Sequence, residues 1–267
     1  MAHKVSFDLE KIKAKKGFIC DMDGVIYHGN MLLPGVKEFV EWLTKENKRF
    51  LFLTNSSERS PRELSRKLSR LGLDVSEDHF YTSAMATAAF LKSQKPDGSA
   101  YVIGEAGLIN ALYDEGFYMN DVNPDYVVVG ETSSYNWEKI EKATLLVSRG
   151  AKLIGANPDL SGPTEDGIVP ATGALISPIV QASGKRAYFV GKPNPLMMRH
   201  AIRLLQVSVE DAMIIGDRMD TDIIAGIESE IETTLVLSGV TDLETVKEFP
   251  YRPTYIMNGV CDFTADC

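Results

Sequence analysis

Short apolar runs alternate with helix-period segments along almost the whole chain, and this pattern constrains the fold more than any other feature. Gly17–Cys20, Phe50–Leu53, Ala100–Ile103, Tyr126–Val129, Lys152–Ile154, Tyr188–Val190 and Ala212–Ile215 are too short for buried helices and read as strands. Between them lie amphipathic stretches. In Pro34–Asn47, Val36, Phe39, Val40 and Leu43 fall on one helical face. The next helix opens with Ser60-Pro61-Arg62-Glu63, a capping box with proline at the first helical position, and Gly72 marks its end. Strands alternating with helices predict βαβ units: an α/β protein with a Rossmann-like, mainly parallel sheet and helices on both faces. At 267 residues, 44% of them hydrophobic, the chain holds enough apolar matter for one large domain or two modest ones. No linker or repeat separates two halves, so a second domain would be an insertion on short hinges.

Several classes fall away. No apolar run approaches the roughly 20 residues that a membrane helix needs. Met1–Lys16 is polar and lysine-rich, unlike a secretory signal, and Lys11, Lys13, Lys15 and Lys16 read as a solvated helix. Three cysteines make no disulfide framework: Cys20 lies in an apolar run, and a reducing cytoplasm accounts for Cys261 and Cys267 more simply than a bridge does. The net charge of −9 argues against a nucleic acid polymer as partner, though not against a small anionic substrate.

Four short motifs follow strands. Ile19-Cys20-Asp21-Met22-Asp23-Gly24 places two carboxylates of like orientation just beyond the first strand, where ligands bind in open α/β sheets. Such a pair is strained unless a cation intervenes or one acid keeps its proton. Ile215-Gly216-Asp217, with Asp220 and Asp222 following, is a second oxygen-rich cluster suited to a hard cation such as Mg²⁺. Thr54-Asn55-Ser56-Ser57 offers hydroxyls and backbone amides for phosphate oxygens. Gly191-Lys192-Pro193-Asn194 places an ammonium between a strand and a helix capped by Asn194. Alone, each acidic motif is equally an ordinary turn or cap, and the other two are more readily an ordinary cap and a solvated side chain.

In this order, each at a strand end, the four resemble the haloacid dehalogenase (HAD) superfamily of phosphotransferases. Further stretches, among them Tyr81–Thr87, Asn123-Pro124-Asp125, Gly130-Glu131-Thr132, Gly191-Lys192-Pro193 and Leu237-Ser238-Gly239-Val240, are similar to its NagD-like subfamily. The likeness runs from about Phe18 to about Pro253. It implies a catalytic core over 1–83 and 186–267 and an inserted α/β cap over 84–185 that sets substrate choice. It departs at Glu230, where the family usually has glycine.

The resemblance implies a cytoplasmic, Mg²⁺-dependent phosphomonoester hydrolase. Asp21 is the expected nucleophile and forms an aspartyl-phosphate, and Asp23 the expected general acid and then base. The implied metal ligands are Asp21, Asp217 and the main-chain carbonyl of Asp23, with Asp222 behind them. Thr54, the Asn55 region and Lys192 hold the phosphate. Nucleoside 5′-monophosphates are the expected substrates, with sugar phosphates, pyridoxal phosphate, phosphoglycolate or aryl phosphates as the broader alternative. Glu131 and the irregular, turn-rich segment Asn157–Thr172 are candidates for contacts to the leaving group. Trp42 and Trp137 read as core, and His28 lies near the first acidic motif without a necessary role. A phosphoaspartate receiver switch shares the acids, threonine and lysine, but needs only about half this length.

Overall fold

The computed structural model describes residues 7–164 and 167–264. They form two compact units. The first holds the described parts of Met1–Thr54 and Met198–Cys267 together with Ser65–Tyr81; the second holds Asn55–Leu64 and Thr82–Met197. The expected cap, 84–185, falls within the second unit.

The first unit is built on a six-stranded sheet in the order Tyr255–Met257, Glu232–Val236, Ala212–Gly216, Gly17–Asp21, Arg49–Thr54, Phe80–Thr82. Gly17–Asp21 pairs in parallel with Ala212–Gly216 on one side and Arg49–Thr54 on the other. Its residues Phe18, Ile19 and Cys20 are fully buried, as a central parallel strand covered on both faces requires. The helix Val36–Lys45 buries Val36, Phe39, Val40 and Leu43, the face its spacing predicts. Phe18, Phe39, Trp42 and Phe263 then pack ring against ring, with centroids 4.7–6.5 Å apart. The lysine-rich start forms a short helix, Leu9–Ala14, capped by Asp8. Cys20 is a buried free thiol, but Cys261 is disulfide-bonded, which corrects the expectation that it is reduced; Cys267 lies outside the described residues.

The second unit has its own five-stranded sheet in the order Tyr188–Phe189, Lys152–Gly155, Tyr126–Val129, Ser99–Ile103, Tyr118–Met119. All its pairings are parallel. Helices Trp137–Ser148 and Thr172–Ser183 cover it with Ala143, Leu146, Val147, Leu175, Ile176 and Ile179. The capping box at Ser60 forms as expected: the Ser60 N–H donates to Glu63 Oε2 at 2.8 Å, and the Glu63 N–H donates back to Ser60 Oγ at 3.4 Å.

Two further expectations are corrected. Asn157–Thr172 is not irregular throughout: Ser161–Thr164 and Gly167–Pro170 pair as an antiparallel hairpin. Its described side chains are mainly exposed, so it carries no alternation of buried and polar residues to reveal it. Trp137 is 75% exposed and not core. It is the first helical residue after the cap Asn136, and the buried face of that helix begins further along.

Candidate active site

Three neighbouring parallel strands of the first sheet end in Thr54, Asp21 and Gly216, with Asp217 following the last. Neighbouring strands lie roughly 4.8 Å apart, so their carboxyl ends bring these side chains to one edge. Asp21, Asp217 and Asp222 each offer a carboxylate oxygen, and the three oxygens lie within 4.8 Å of one another. Asp217 is 2% exposed and Asp222 is fully buried.

The chain is shaped around Asp217. A Cβ at Gly24 would come within 2.6 Å of its Oδ2, and one at Gly239 would collide with the same carboxylate. Gly24 also has φ +78°, a conformation that glycine adopts freely. The Val240 N–H donates to Asp217 Oδ2 at 2.8 Å, and Ser238 Oγ holds the Gly24 carbonyl at 2.7 Å. Asp222 sits in a π-helical turn, Met219–Ile223, and its Oδ2 accepts the Arg218 N–H at 3.2 Å. Asp220 is drawn away from the cluster into a two-pronged pair with Arg218, at 3.0 and 2.9 Å.

The donor set fits a hard divalent cation. It is all carboxylate oxygen, without sulfur or imidazole. Three anions this close and this buried repel one another unless positive charge or a proton joins them.

Asp23 has a different setting. Burial raises its carboxyl above the usual range, while His28 and Lys67 pull it back down. His28 Nδ1 lies 3.7 Å from its Oδ1. His28 belongs to a small hairpin in which Tyr27–His28 pairs with Met31–Leu32. The Lys67 ammonium lies 3.5 Å from the Tyr27 ring centroid. The sequence reading missed Lys67, since a lysine on the polar side of a helix carries no distinguishing signal. A carboxyl whose protonated form is favoured by burial and opposed by its neighbours is suited to giving and taking a proton.

The other two candidates, Asn55 and Lys192, belong to the second unit and are bonded to each other. The Lys192 N–H donates to Asn55 Oδ1 at 2.7 Å, and Asn55 Nδ2 donates to the Lys192 carbonyl at 2.9 Å. Lys192 is 2% exposed. Asn194 caps the following helix as expected, accepting the Leu196 N–H at 3.0 Å. Ser57 and Asn157 fall in segments that the sequence marks for phosphate and leaving-group contacts, and Ser83 in a stretch of family likeness, but all three are buried and bonded around Asn55 or Glu131. Polar residues in loops look alike until the fold brings them together.

Known proteins match this arrangement over nearly its whole length. Residues 18–118 match the haloacid dehalogenase-like hydrolase family, and residues 189–263 match a related HAD-hydrolase-like family. The chain is 45% identical to dihydroxyacetone phosphatase of Corynebacterium glutamicum, over 94% of this chain and 90% of that one. It is 43% identical to the ribonucleotide monophosphatase NagD of Escherichia coli, over 92% of this chain and 97% of that one. The solved structure of NagD superposes with a TM-score of 0.89, covering 93% of this chain and 98% of that one. A 4-nitrophenylphosphatase from Thermotoga maritima, 32% identical, superposes with a TM-score of 0.90, covering 94% and 97%.

Proposed function

The chain belongs to the haloacid dehalogenase-like hydrolases and is a phosphomonoester hydrolase of that family, and from this footing we propose a mechanism, a metal and a substrate class for it. The observation that carries the mechanism is the edge shared by Thr54, Asp21 and Asp217 at the ends of three adjacent parallel strands, with Asp222 joining the two acids.

Asp21 is the nucleophile. Its carboxylate attacks phosphorus, the bond to the leaving oxygen breaks, and an aspartyl-phosphate forms. Asp23 gives its proton to the departing alkoxide and then takes one from the water that attacks phosphorus, releasing inorganic phosphate and restoring Asp21. The raised proton affinity of Asp23 supports the first of these tasks. Asp21, Asp217 and the main-chain carbonyl of Asp23 would hold Mg²⁺, with Asp222 close enough to bind it directly or through water. The bound cation supplies positive charge that lets an anionic nucleophile approach a phosphate dianion. Thr54, the Asn55 segment and Lys192 neutralise the non-bridging oxygens. Phosphoryl transfer asks little else of the protein, since positioning and charge account for most of the catalysis.

Nucleoside 5′-monophosphates are the proposed substrates, supported by the name and near-complete overlap of the NagD relative. The second reading, a broader phosphatase, has support from the dihydroxyacetone phosphatase and 4-nitrophenylphosphatase relatives. Residues 84–185 would supply the contacts that discriminate. A cytoplasmic location belongs to the same proposal; among the described residues no helix is long and apolar enough to cross a membrane.

The test is a substrate panel: UMP, CMP, GMP, AMP, dihydroxyacetone phosphate and 4-nitrophenyl phosphate, each with Mg²⁺ and with excess chelator. Hydrolysis of all six should stop in chelator, and at least one nucleotide should exceed dihydroxyacetone phosphate in kcat/KM. Undiminished turnover in chelator removes the metal from the mechanism. Nucleotide turnover below that of the triose phosphate leaves the broader reading in its place.

A further inference from the structure

Three neighbouring strands of the second sheet, Tyr126–Val129, Lys152–Gly155 and Tyr188–Phe189, lead at their carboxyl ends to Glu131, Asn157 and Lys192. One connected polar network joins these residues to the segment 55–57. Asn55 bonds the main chain of Lys192 on both sides, accepting its N–H and donating to its carbonyl. The same Asn55 amide donates to Asp159 Oδ2 at 2.9 Å. The Asn55 carbonyl in turn accepts Asn157 Nδ2 at 2.7 Å and Ser83 Oγ at 2.5 Å. Asn157 Nδ2 also donates to Glu131 Oε1. Glu131 Oε2 accepts both the Ser57 N–H, at 3.0 Å, and the Ser57 hydroxyl.

The centre of the network is buried: Asn157, Ser57 and Ser83 are fully so and Asn55 is 9% exposed, while Glu131 and Asp159 are half-buried. Two glycines admit it. A Cβ at Gly191 would come within 2.7 Å of Asn55 Oδ1, and one at Gly130 would strike the Ser57 hydroxyl. Both glycines therefore allow close approach of backbone to side chain, a use that has nothing to do with turning the chain.

The side chains of Asn55 and Glu131 are thus already committed. Both oxygen and nitrogen of the Asn55 amide hold the Lys192 backbone, and both Glu131 oxygens hold Ser57 and Asn157. We propose that Asn55 is a positioning residue for Lys192, with Asn157 and Glu131 completing the relay that holds Asn55, and that none of the three side chains is a ligand of phosphate or leaving group. The inference rests on the reading that Lys192 neutralises the transferring phosphoryl group. A lysine side chain has four rotatable bonds, so its ammonium is well placed only if its backbone does not move. A buried network serves that end because leaving any member unpaired is costly.

A double-mutant cycle with 4-nitrophenyl phosphate and Mg²⁺ tests this, using Lys192→Ala, Asn55→Ala and the pair. A misplaced catalytic group costs up to about 100-fold, so Asn55→Ala should lower kcat by about 10- to 100-fold. In the Lys192→Ala background the same change should have almost no further effect, within about 2-fold, because a positioning residue has nothing left to position. Glu131→Gln, which keeps size but turns an acceptor into a donor, should show a smaller loss with the same lack of additivity. Circular dichroism checks that each variant is folded, and Glu131→Gln carries the test if Asn55→Ala is not. Additive losses would mean that Asn55 or Glu131 acts on substrate independently, and would overturn the proposal. So would folded variants with unchanged kcat. A Lys192→Ala protein with full activity would instead refute the role of Lys192 itself, a distinct outcome visible before the cycle is closed.

Discussion

Two influences oppose each other at Asp23. Burial holds its proton, while His28 and Lys67 favour its release, and the balance leaves the carboxyl raised. In the proposed mechanism its side chain transfers protons and only its main-chain carbonyl binds the metal. Asp23→Asn should therefore lower kcat by about 10²- to 10⁴-fold. Mg²⁺ affinity, measured by titration calorimetry, should stay close to that of the unaltered protein, because the carboxylates of Asp21, Asp217 and Asp222 are untouched. A large loss of affinity would mean that the Asp23 carboxylate is itself a ligand. A second residue-scale effect lies away from the site. His200 accepts or donates a hydrogen bond with Tyr81 at 3.1 Å, and burial, then the charges of Arg203 and Arg199, lower its pKa below the ordinary 6.5. A lowered pKa means that the unfolded chain binds the proton more readily than the folded one. The resulting contribution to stability is complete above about pH 6.5 and is lost as pH falls through the folded-state value. Thermal midpoints at pH 7.5 and 5.5 should thus differ less in His200→Gln than in the unaltered protein. At this scale the sequence disclosed the acids, because a carboxylate just past an apolar strand is a local signal. It hid Lys67, and it hid the partners of Ser57, Ser83 and Asn157, which lie distant along the chain.

Among the elements, the turn after Ile224–Glu228 shows how a departure from the family pattern is absorbed. Ile231 N–H bonds the Gly226 carbonyl at 2.9 Å and Glu230 N–H bonds that of Ile227 at 3.1 Å, the two bonds of a Schellman stop. Glu230 takes the left-handed position, with φ +60°, where the sequence reading expected glycine to be preferred. A non-glycine residue there is strained by roughly 1 kcal/mol, part of which glycine returns as chain entropy. Glu230→Gly should therefore stabilise the protein by up to about 0.5 kcal/mol in denaturant titration and leave kcat unchanged. Destabilisation would show that the glutamate side chain contributes something the turn geometry does not require. Caps and breaks of this kind were legible because they depend on residues three to five apart, as at Ser60 and Asn194. The hairpin Ser161–Thr164 with Gly167–Pro170 was not, since strands without a buried face lack the alternation that identifies a strand.

For the molecule as a whole, the parallel α/β architecture was readable because buried parallel strands are short apolar runs whatever their neighbours. Strand order was not. Nothing local says that Ala212–Gly216 lies beside Gly17–Asp21, nearly two hundred residues earlier, yet that pairing joins Asp21 to Asp217. Nor does anything local say that Tyr188–Phe189 closes the edge of a sheet that begins at Ser99. The resemblance to a family supplied that long-range order in outline, and the parallel register supplies its physical reason. The central claim is that this arrangement turns Asp21 into a nucleophile and carries turnover through a covalent aspartyl-phosphate. The most direct measurement is to quench the enzyme during turnover of 4-nitrophenyl phosphate, reduce the acyl-phosphate with borohydride, and locate the product by peptide mass spectrometry. The account predicts homoserine at position 21, formed only when substrate and Mg²⁺ are both present and absent from Asp21→Asn, which should be inactive. Homoserine at another acid, or a fully active Asp21→Asn protein, would contradict it.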